Sequence, residues 1–510
     1  MTLLQIQLSY GSTIYNIMKK VLFALLCAVV VLACEKKPTP PPPPVYGDAA
    51  LTEFGFYLSD NPVQLLEDVV ATISGNAINV QVPSDTDLSA LVAKFKTTAN
   101  DTVSVAGVQQ VTGVTPNDFS KPVDYLITEG TSNALFTVKV ENLPAASWTK
   151  VTEFITEKDE IDDFQMAINP KTGLPELLYA LDTGWGEEMD DFLRIFKLEG
   201  NSLVSSVVLD AEADNYNLTF DADGNAYVCY QDDESDKYCV LKRSGSAWNA
   251  IGTDIAERSN SYGPGFVTLP NGGLMLLTSN FTNGIVGKRE LNITTYDGST
   301  WTTGGTIPGV TGYRYWPTAV TKGDITYVAL QYPLSPKSIS LYKYEAGTWT
   351  VLEENFNQPK ADGSPSGNYT YGFGMEVDDK GNVFLSYSND VEISTGKPRV
   401  FKYSAETEKI SMIATPIDEV SEGIPARYTS VAVNQLGLPF LMYINNTKIP
   451  QVVGLDRKSQ QWGPVTPVGS DETTDFVIKF NKDGVGYAAS LSSIEVGEED
   501  RSKIVIYKYE

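Results

Sequence analysis

The side chains able to do chemistry in this 510-residue chain are mainly carboxyls, tyrosines and arginines, because the sequence contains no histidine. Without imidazole there is no Ser-His-Asp or Cys-His catalytic set, no histidine-ligated zinc and no histidine pH switch. Carboxyl chemistry remains open, since glycoside hydrolysis needs only two acids about 5 to 9 Å apart. The sequence selects no pair among the acidic candidates, which include Asp163, Glu187, Asp214 and Asp475.

Aromatic residues recur just before the first strands of a predicted repeat, and two arginines accompany them. Aromatic faces stack on the apolar faces of sugar rings, while arginine donates hydrogen bonds to hydroxyls. The alternative is that single rings wedge between neighbouring sheets as core. The dense cluster at 314–316 favours binding. The pattern predicts a ligand-binding rim made of Tyr216, Tyr262, Arg314, Tyr315, Trp316, Tyr371, Arg427 and Tyr428.

Acidic residues dominate the charge of the chain. It has 38 Lys+Arg against 64 Asp+Glu, a formal charge of −26, which argues against binding to nucleic acid. Acids cluster at 182–191 and 232–236, but neither spacing matches an ordered calcium loop. We therefore expect solvated acidic loops, no metal and no cofactor.

Two cysteines, Cys229 and Cys239, lie in the part of the chain predicted to fold. If Tyr230 pairs with Tyr238 across the intervening loop, the two thiols face each other on adjacent strands. An oxidising compartment could then join them in a disulfide. Whether they are bonded stays open at the level of the sequence.

A repeated strand pair positions most of these residues. A strand, a tight turn and an apolar second strand recur with turn glycines at Gly173, Gly224, Gly272, Gly323, Gly381, Gly437 and Gly484. The mean period is (484 − 173)/6, or about 52 residues, close to one four-stranded propeller blade. The repeat predicts a seven-bladed β-propeller over residues 145–510.

The third and fourth strands repeat as well, each copy ending in a tryptophan that opens the outer strand, as at Trp301 and Trp349. The last copy stops at Glu510, before its outer strand. A matching segment stands at Trp148, just ahead of the first copy. We predict that 148–153 pairs with 503–509 and closes the ring, which removes an exposed sheet edge.

Residues 49–144 alternate apolar and polar residues in short runs, such as 77–82 and 134–140. This period of two predicts strands, and about 95 residues of them fit one immunoglobulin-like β-sandwich. With its Val82-Pro83 and its Asn117-Asp118-Phe119, the segment resembles the sandwich domain near the N-terminus of many Bacteroidetes outer-membrane lipoproteins. That resemblance implies a spacer and no chemistry. The expected fold is all-β.

The N-terminus is predicted to be a targeting segment. Lys19 and Lys20 precede an apolar run of 13 residues, too short to span a bilayer. The run ends in Val31-Leu32-Ala33-Cys34, which resembles a bacterial lipobox and implies that Cys34 carries lipid; an ordinary cleaved signal is the alternative. Residues 1–33 would then be the signal peptide. Residues 34–48, with an unbroken proline run, would form a semi-rigid tether.

These features together predict a non-enzymatic lipoprotein of the cell envelope that binds a glycan or another extracellular ligand on the aromatic rim. It would be anchored to the outer membrane by lipid, on either the periplasmic or the outer side. Two alternatives stay open. One is a scaffold for an outer-membrane protein complex, and the other is a carboxylate-dependent glycoside hydrolase or lyase.

Overall fold

A computed structural model describes residues 49–65, 68–98, 101–157, 160–182, 191–257, 263–281, 289–305, 307, 310, 315–332, 338–356, 373–389, 397–414, 417, 429–445, 447–497 and 499–510. The chain divides into two compact units, Met1–Ala145 and Ala146–Glu510, which we call the N-terminal unit and the ring unit. Both consist of β-strands, which confirms the all-β prediction. Within the ranges above, the helical element is the short 3-10 helix Leu88–Ala90, and no helix is long and apolar enough to cross a bilayer.

The N-terminal unit contains two sheets around one core. Their orders are β2-β1-β5-β8 and β3-β4-β10-β9-β6-β7, with β10 parallel to β4. The strands are β1 (Leu51–Phe56), β2 (Val69–Val70), β3 (Thr72–Ser74), β4 (Ala77–Val82), β5 (Leu91–Thr97), β6 (Thr102–Val105), β7 (Val108–Gln109), β8 (Pro116–Asn117), β9 (Val123–Glu129) and β10 (Ser132–Asn142).

The core of the N-terminal unit follows from the period of two. In β4 every second residue is buried, and β9 buries alternate residues in the same way. Tyr125 on β9 is fully buried, and its ring lies 5.3 Å from Phe54 and 5.8 Å from Phe95, centroid to centroid and near edge-on. Such aromatic pairs stabilise beyond the area they bury, so this cluster holds the two sheets together.

The described residues of the ring unit form seven four-stranded antiparallel sheets, of which the first two share one strand and are continuous. Their strands are β11 (Trp148–Ile155), β12 (Glu160–Ile168), β13 (Pro175–Asp182), β14 (Asp191–Glu199), β15 (Ser202–Phe220), β16 (Ala226–Asp232), β17 (Lys237–Ser244), β18 (Ala247–Glu257), β19 (Gly265–Thr268), β20 (Leu274–Phe281), β21 (Arg289–Tyr296), β22 (Trp301–Thr303), β23 (Tyr315–Lys322), β24 (Ile325–Tyr332), β25 (Ser338–Glu345), β26 (Thr348–Phe356), β27 (Gly374–Val377), β28 (Val383–Asn389), β29 (Lys397–Ser404), β30 (Lys409–Ile413), β31 (Ser430–Val433), β32 (Pro439–Ile444), β33 (Pro450–Gly454), β34 (Thr466–Pro467), β35 (Asp475–Phe480), β36 (Gly486–Val496) and β37 (Glu499–Tyr509).

Sheets one and two share the long strand β15. Its first half pairs with β14 and its second half pairs with β16. Sheets three to six are the consecutive quartets β19–β22, β23–β26, β27–β30 and β31–β34, and sheet seven has the order β11-β37-β36-β35. The first strands β12, β15, β19, β23, β27, β31 and β35 each contact the next, and β35 contacts β12. The seven first strands therefore form a closed ring.

The predicted closing strand is confirmed. Strand β11 pairs with β37 from Trp148 opposite Tyr509 to Ile155 opposite Lys503. The recurring tryptophan also gains a structural meaning, because Trp148, Trp301 and Trp349 each stand opposite a tyrosine of the third strand with ring centroids about 5 Å apart. These tryptophans are cross-strand packing residues.

The seven turn glycines behave as their spacing predicts. All have positive φ, from 58° at Gly323 to 81° at Gly272, a conformation that glycine adopts without steric cost. Several turns also begin with a side chain that caps them: the Oδ1 atom of Asp221 accepts the backbone N–H groups of Asp223 and Asn225. We call the side of the ring that carries these turns the Gly-turn end, and the side where the first strands begin the entry end.

Candidate functional site

A cavity of about 1050 Å³ lies inside the ring and is lined by the first strands of all seven sheets. Its lining is largely polar or small, including Gln165, Asn217, Thr219, Thr318 and Ser430. The innermost strand of each sheet has one unpaired edge, so backbone N–H and C=O groups also face this space. A cavity of this size with convergent polar groups is the default candidate for a ligand site.

Three first strands carry a β-bulge at the same place near the entry end. In each of β12, β15 and β23, two consecutive residues lie opposite a single residue of the neighbouring strand. The extra residues fall at 162–163, 215–216 and 316–317. Bulges bend a strand and redirect its side chains, and they concentrate beside functional sites. The entry end is thus where the regular repeat is interrupted.

Two carboxyls and a tyrosine meet at this interrupted end. The Asp475 carboxylate accepts the backbone N–H of Phe164 at 3.3 Å and that of Phe476 at 2.8 Å. Burial, and then the neighbouring Asp163 carboxylate, raise the pKa of Asp475 to about 7, although the two N–H groups oppose the rise. Near neutral pH the Asp475 carboxyl therefore exists in both protonation states, while Asp163 is exposed to solvent.

Tyr216 positions the Asp163 carboxylate. Its hydroxyl donates to that carboxylate and accepts the backbone N–H of Ala180 at 3.0 Å. Burial, followed by the Asp163 charge, holds the pKa of the Tyr216 phenol well above its usual value. The phenol therefore stays protonated and remains a donor to Asp163 across the physiological pH range.

Asn215 beside it is held in an unusual conformation. Its φ is 44°, in the left-handed region that non-glycine residues rarely adopt. Its Nδ2 donates to Oε1 of the fully buried Gln231 at 3.0 Å, and Gln231 in turn donates to Asp236 at 3.4 Å. This chain of hydrogen bonds links the entry end of β15 to the acidic loop 232–236.

An ion pair bridges two first strands towards the other end of the cavity. The Nζ atom of Lys479 on β35 lies 3.1 Å from Oε2 of Glu376 on β27, and both side chains line the cavity and are largely buried. The ion pair thus joins the first strand of sheet five to the first strand of sheet seven, and the first strand of sheet six lies between them. Each partner is the penultimate residue of its strand, so the pair lies towards the Gly-turn end.

The structure describes only part of the predicted rim. Tyr262, Arg314, Tyr371, Arg427 and Tyr428 lie outside the described residues, as does Glu187. Tyr315 and Trp316 are the first residues of β23, but their side chains are not described. These rim residues therefore remain a prediction.

Tyr216 lies within the described residues, and its ring is not exposed for stacking as the sequence predicted. Its ring is 7% exposed and packs with Leu178 and Leu193 between sheets one and two. In the equivalent bulges, Tyr216 matches Asp163 and Pro317, whereas Trp316 matches Asn215. The two aromatics thus do not stand at the same position, and Tyr216 contributes its hydroxyl rather than its face.

The expected cysteine pairing is wrong by one residue. Cys229 stands opposite Val240, and Cys239 stands opposite Tyr230. The two thiols consequently fall on opposite faces of the sheet and belong to different core clusters. Both cysteines are buried and free, so a disulfide between them would require a change of register.

Sequence reasoning named Asp163 and Asp475 among several acids, but it could not pair them, because they lie 312 positions apart and meet only when the ring closes. It missed Gln231, Glu376 and Lys479 altogether. The only available signal was a lysine and a glutamate at penultimate positions of short strands. Among the described residues, no group of three or more acids or cysteines could hold a metal ion.

A protein-family model matches the N-terminal unit and not the ring unit. Residues 63–140 match the family model described as "SGBP, N-terminal", which supports the coarser part of the resemblance seen in the sequence, a glycan-binding protein of the Bacteroidetes type. The match covers part of the N-terminal unit and none of the ring unit. No curated protein matches the chain.

Solved structures resemble the chain only distantly. AofleA from Arthrobotrys oligospora is 14% identical, with 64% of this chain and 90% of that one covered, at a TM-score of 0.41. A polysaccharide lyase of family PL25, an ulvan lyase, is 10% identical over 68% and 93% at 0.47. A DUF4623 family protein from Bacteroides eggerthii is 10% identical over 91% and 99% at 0.34. Likenesses this weak carry no conclusion about activity, so the SGBP match of the N-terminal unit is the family-level finding.

Proposed function

We propose that the ring unit is a seven-bladed β-propeller that binds a glycan at its entry end. The observation that carries this proposal is the 1050 Å³ cavity, whose polar lining meets an ordered cluster of hydroxyl-binding groups at Asp163, Asp475 and Tyr216. Carboxylates accept hydrogen bonds from sugar hydroxyls, and oriented polar groups confer specificity in such sites. The SGBP match of residues 63–140 supports glycan binding independently.

In this proposal, the other predicted rim residues extend the binding site beyond the cavity. Trp316 and Tyr371 supply stacking faces for further sugar rings, and Arg314 and Arg427 bind hydroxyl or acidic groups. The N-terminal unit is an immunoglobulin-like spacer. The chain is a lipoprotein held on the outer membrane through Cys34 and the proline-rich tether of 34–48, and the SGBP match favours the cell surface as its side.

Affinity gel electrophoresis tests the glycan site. The mature protein, made with Cys34→Ser so that it stays soluble, is run through gels containing plant and host polysaccharides. Trp316→Ala and Tyr371→Ala should abolish the retardation seen with the parent. Tyr57→Ala in the N-terminal unit removes an aromatic residue elsewhere and should leave it unchanged.

Each result of this experiment has a defined meaning. Loss of retardation only in Tyr57→Ala would move the ligand to the N-terminal unit and contradict the proposal. No retardation in any gel, with all variants folded, would replace glycan binding by a protein-scaffold role in an outer-membrane complex.

One observation favours an enzymatic alternative. Asp475, with a pKa raised to about 7, stands beside the Asp163 carboxyl, and two neighbouring carboxyls of unequal pKa are the arrangement that glycoside hydrolases use. Release of reducing ends from a bound polysaccharide, lost in Asp475→Asn, would establish this activity. Binding without any release of ends keeps the protein a binder.

A further inference from the structure

A groove of about 850 Å³ lies at the Gly-turn end, between sheets four and five. Tyr327 on β24 and Tyr403 on β29 line it, although they are only 4% and 5% exposed. A Cβ atom at Gly381, which also lines the groove, would lie 2.8 Å from the Tyr327 hydroxyl oxygen. The rings thus belong to the core, and their hydroxyl ends reach the groove. The turns that surround the groove all lie within the described residues: 322–325, 345–348, 378–382 and 404–409.

The junction between sheets one and two fills the same strand positions with charged groups. Glu176 on β13 corresponds to Tyr327, since each stands opposite a lysine two residues before the end of the third strand. Arg243 corresponds to Tyr403, since each is the penultimate residue of its third strand. Glu176 and Arg243 form an ion pair across their junction. Between sheets four and five, two phenols take the place of this ion pair.

A short turn leaves the Tyr327 hydroxyl without the partner that its counterpart has. In sheet two the counterpart is Tyr227, whose hydroxyl donates at 3.1 Å to the carboxylate of Asp221, the first residue of the turn. That turn has five residues, 221–225, whereas the turn of sheet four has two, 323–324. Sheet four therefore has no equivalent of Asp221. Neither groove tyrosine has a hydrogen bond from its hydroxyl to another described residue.

Both hydroxyls stay protonated at physiological pH. Burial, followed by the charge of Glu345, raises the pKa of Tyr327, and burial, followed by the charge of Glu408, raises the pKa of Tyr403. Each phenol can therefore both donate and accept a hydrogen bond. Polar groups of buried residues normally have a partner, so these two hydroxyls are available to water in the free protein and to a ligand when one is bound.

The walls of the groove favour an uncharged ligand. Three lysines and four acidic residues line it, so their charges nearly cancel. Lys322 pairs with Asp379 at 2.7 Å, and Lys343 pairs with Glu345 at 3.1 Å. Val351, an apolar residue that is 38% exposed, lines the same groove. Hydroxyl-binding groups beside an apolar surface match a sugar, which has hydroxyls at the edge of its ring and C–H groups on its faces.

We propose that the groove between sheets four and five binds a neutral mono- or disaccharide through hydrogen bonds to the Tyr327 and Tyr403 hydroxyls, with Val351 against a sugar ring. Its volume of about 850 Å³ lies within the range of small-ligand pockets. The site is separate from the entry end and does not depend on the glycan binding proposed there.

Saturation-transfer difference NMR on the soluble mature protein tests the site. The probes are glucose, galactose, mannose, xylose, maltose and cellobiose, with glucuronate and galacturonate as charged counterparts. The protein also carries Trp316→Ala and Tyr371→Ala, so that the predicted rim of the entry end does not contribute. At least one neutral sugar should bind, and more tightly than either uronate.

Three variants locate the bound sugar. Tyr327→Phe combined with Tyr403→Phe should weaken binding at least about tenfold, because two hydrogen bonds are lost, and should leave the thermal midpoint unchanged, because neither hydroxyl has a protein partner. Tyr227→Phe, the matched control, removes a hydroxyl that is bonded to Asp221. It should lower the thermal midpoint and leave the affinity unchanged. Ala405→Trp places a large side chain in the groove and should abolish binding.

Each failure has its own meaning. Full affinity in the double tyrosine variant or in Ala405→Trp overturns the site between sheets four and five. Tighter binding of the uronates overturns the neutral class of ligand. Absence of binding by every probe also overturns the proposal, whereas the polysaccharide gels judge the entry end separately.

Discussion

Two carboxyls at opposite ends of the ring unit, Asp221 and Asp475, have pKa values that are shifted in opposite directions. At the Gly-turn end, burial alone would raise the pKa of Asp221, but hydrogen bonds from Asn225, Tyr227 and Asp223 outweigh it and lower that pKa. At the entry end, burial and a second carboxylate raise the pKa of Asp475 to about 7. The Asp221 charge is therefore stabilised, whereas the Asp475 charge is disfavoured.

Backbone geometry follows the same division. At the Gly-turn end the first-to-second-strand turns place positive φ on glycines, while the outer turns of that end also hold Ala346, Glu408 and Gln460 at positive φ. The entry end has bulges in three first strands and a left-handed Asn215. Strained or poorly satisfied groups persist only where the surrounding structure holds them, and they concentrate at functional sites. At the entry end the surrounding sheets therefore hold a carboxyl with a raised pKa beside the bulged first strands.

The largest expected effect concerns an ion pair of the Gly-turn end. Arg243 binds Glu176 through two nitrogens, at 2.5 and 2.9 Å, and both side chains are nearly buried. Glu176→Ala leaves Arg243 unpaired, which should lower the free energy of unfolding by about 3–5 kcal/mol in a denaturant titration. Glu499→Ala, which removes a partner of Arg501 on the surface, should cost at most about 1 kcal/mol. Equal losses of unfolding free energy in the two variants would show that the buried pair stabilises the fold no more than a surface pair does.

The next expected effect is a gain in the free energy of unfolding, from a substitution at the entry end. The folded-state pKa of Asp475 is raised from 3.8 to about 7, so the native state binds this proton more tightly than the unfolded chain does. Its contribution to stability is therefore complete at acidic pH and is lost as the pH rises towards 7. Asp475→Asn should abolish this loss and raise the free energy of unfolding at pH 8 by roughly 2–4 kcal/mol.

Asp221→Asn provides the opposite case for that experiment. Because the pKa of Asp221 is lowered in the native state, its contribution is present at neutral pH and is lost on acidification. Urea titrations between pH 4 and pH 8 should show the Asp475 variant gaining stability at high pH and the Asp221 variant losing it there. If the free energies of unfolding of the two variants changed with pH in the same way, Asp221 and Asp475 would not differ in the direction of their pKa shifts.

A smaller effect tests the turn glycines against each other. A Cβ atom at Gly224 would lie 2.7 Å from Oδ1 of Asn169 and 2.8 Å from Cβ of Lys171, whereas one at Gly272 meets nothing within 4 Å. Both residues have φ near 80°. Gly272→Ala should therefore cost about 1 kcal/mol from backbone strain alone, and Gly224→Ala about 2 kcal/mol or more. Equal shifts in thermal midpoint would mean that only φ matters there.

Sequence reasoning predicted the Gly-turn end well because its signals are local. Each glycine stands within a few residues of the strands it joins, and the repeat supplies several copies of the same pattern. The closing strand at Trp148 was found in the same way, from a copy that ended early. Local turn chemistry and periodicity are the features that a single sequence displays directly.

The entry end could not be predicted to the same depth, since its properties arise from residues brought together by ring closure. Asp163 and Asp475 belong to the first and seventh sheets, and no local pattern relates them. Tyr216 is the second and Trp316 the first residue of equivalent bulges, a difference of one residue that the sequence pattern did not show. A shift of one residue in the hairpin of Cys229 and Cys239 likewise sends their side chains to opposite faces of the sheet.

The smallest expected effect separates stability from binding at the entry end. Tyr216→Phe removes a hydroxyl that donates to Asp163 and accepts from Ala180, which should cost about 1 kcal/mol of stability and also weaken glycan affinity, because Asp163 loses its orientation. Tyr179→Phe removes a hydroxyl bonded to Ser205 at 2.7 Å, outside the site, and should cost a similar amount of stability with unchanged affinity. Urea titration and calorimetry on both variants measure the two quantities separately. If both variants retain full affinity, the order at the entry end serves the fold alone, and the division between the two ends is one of stability rather than function.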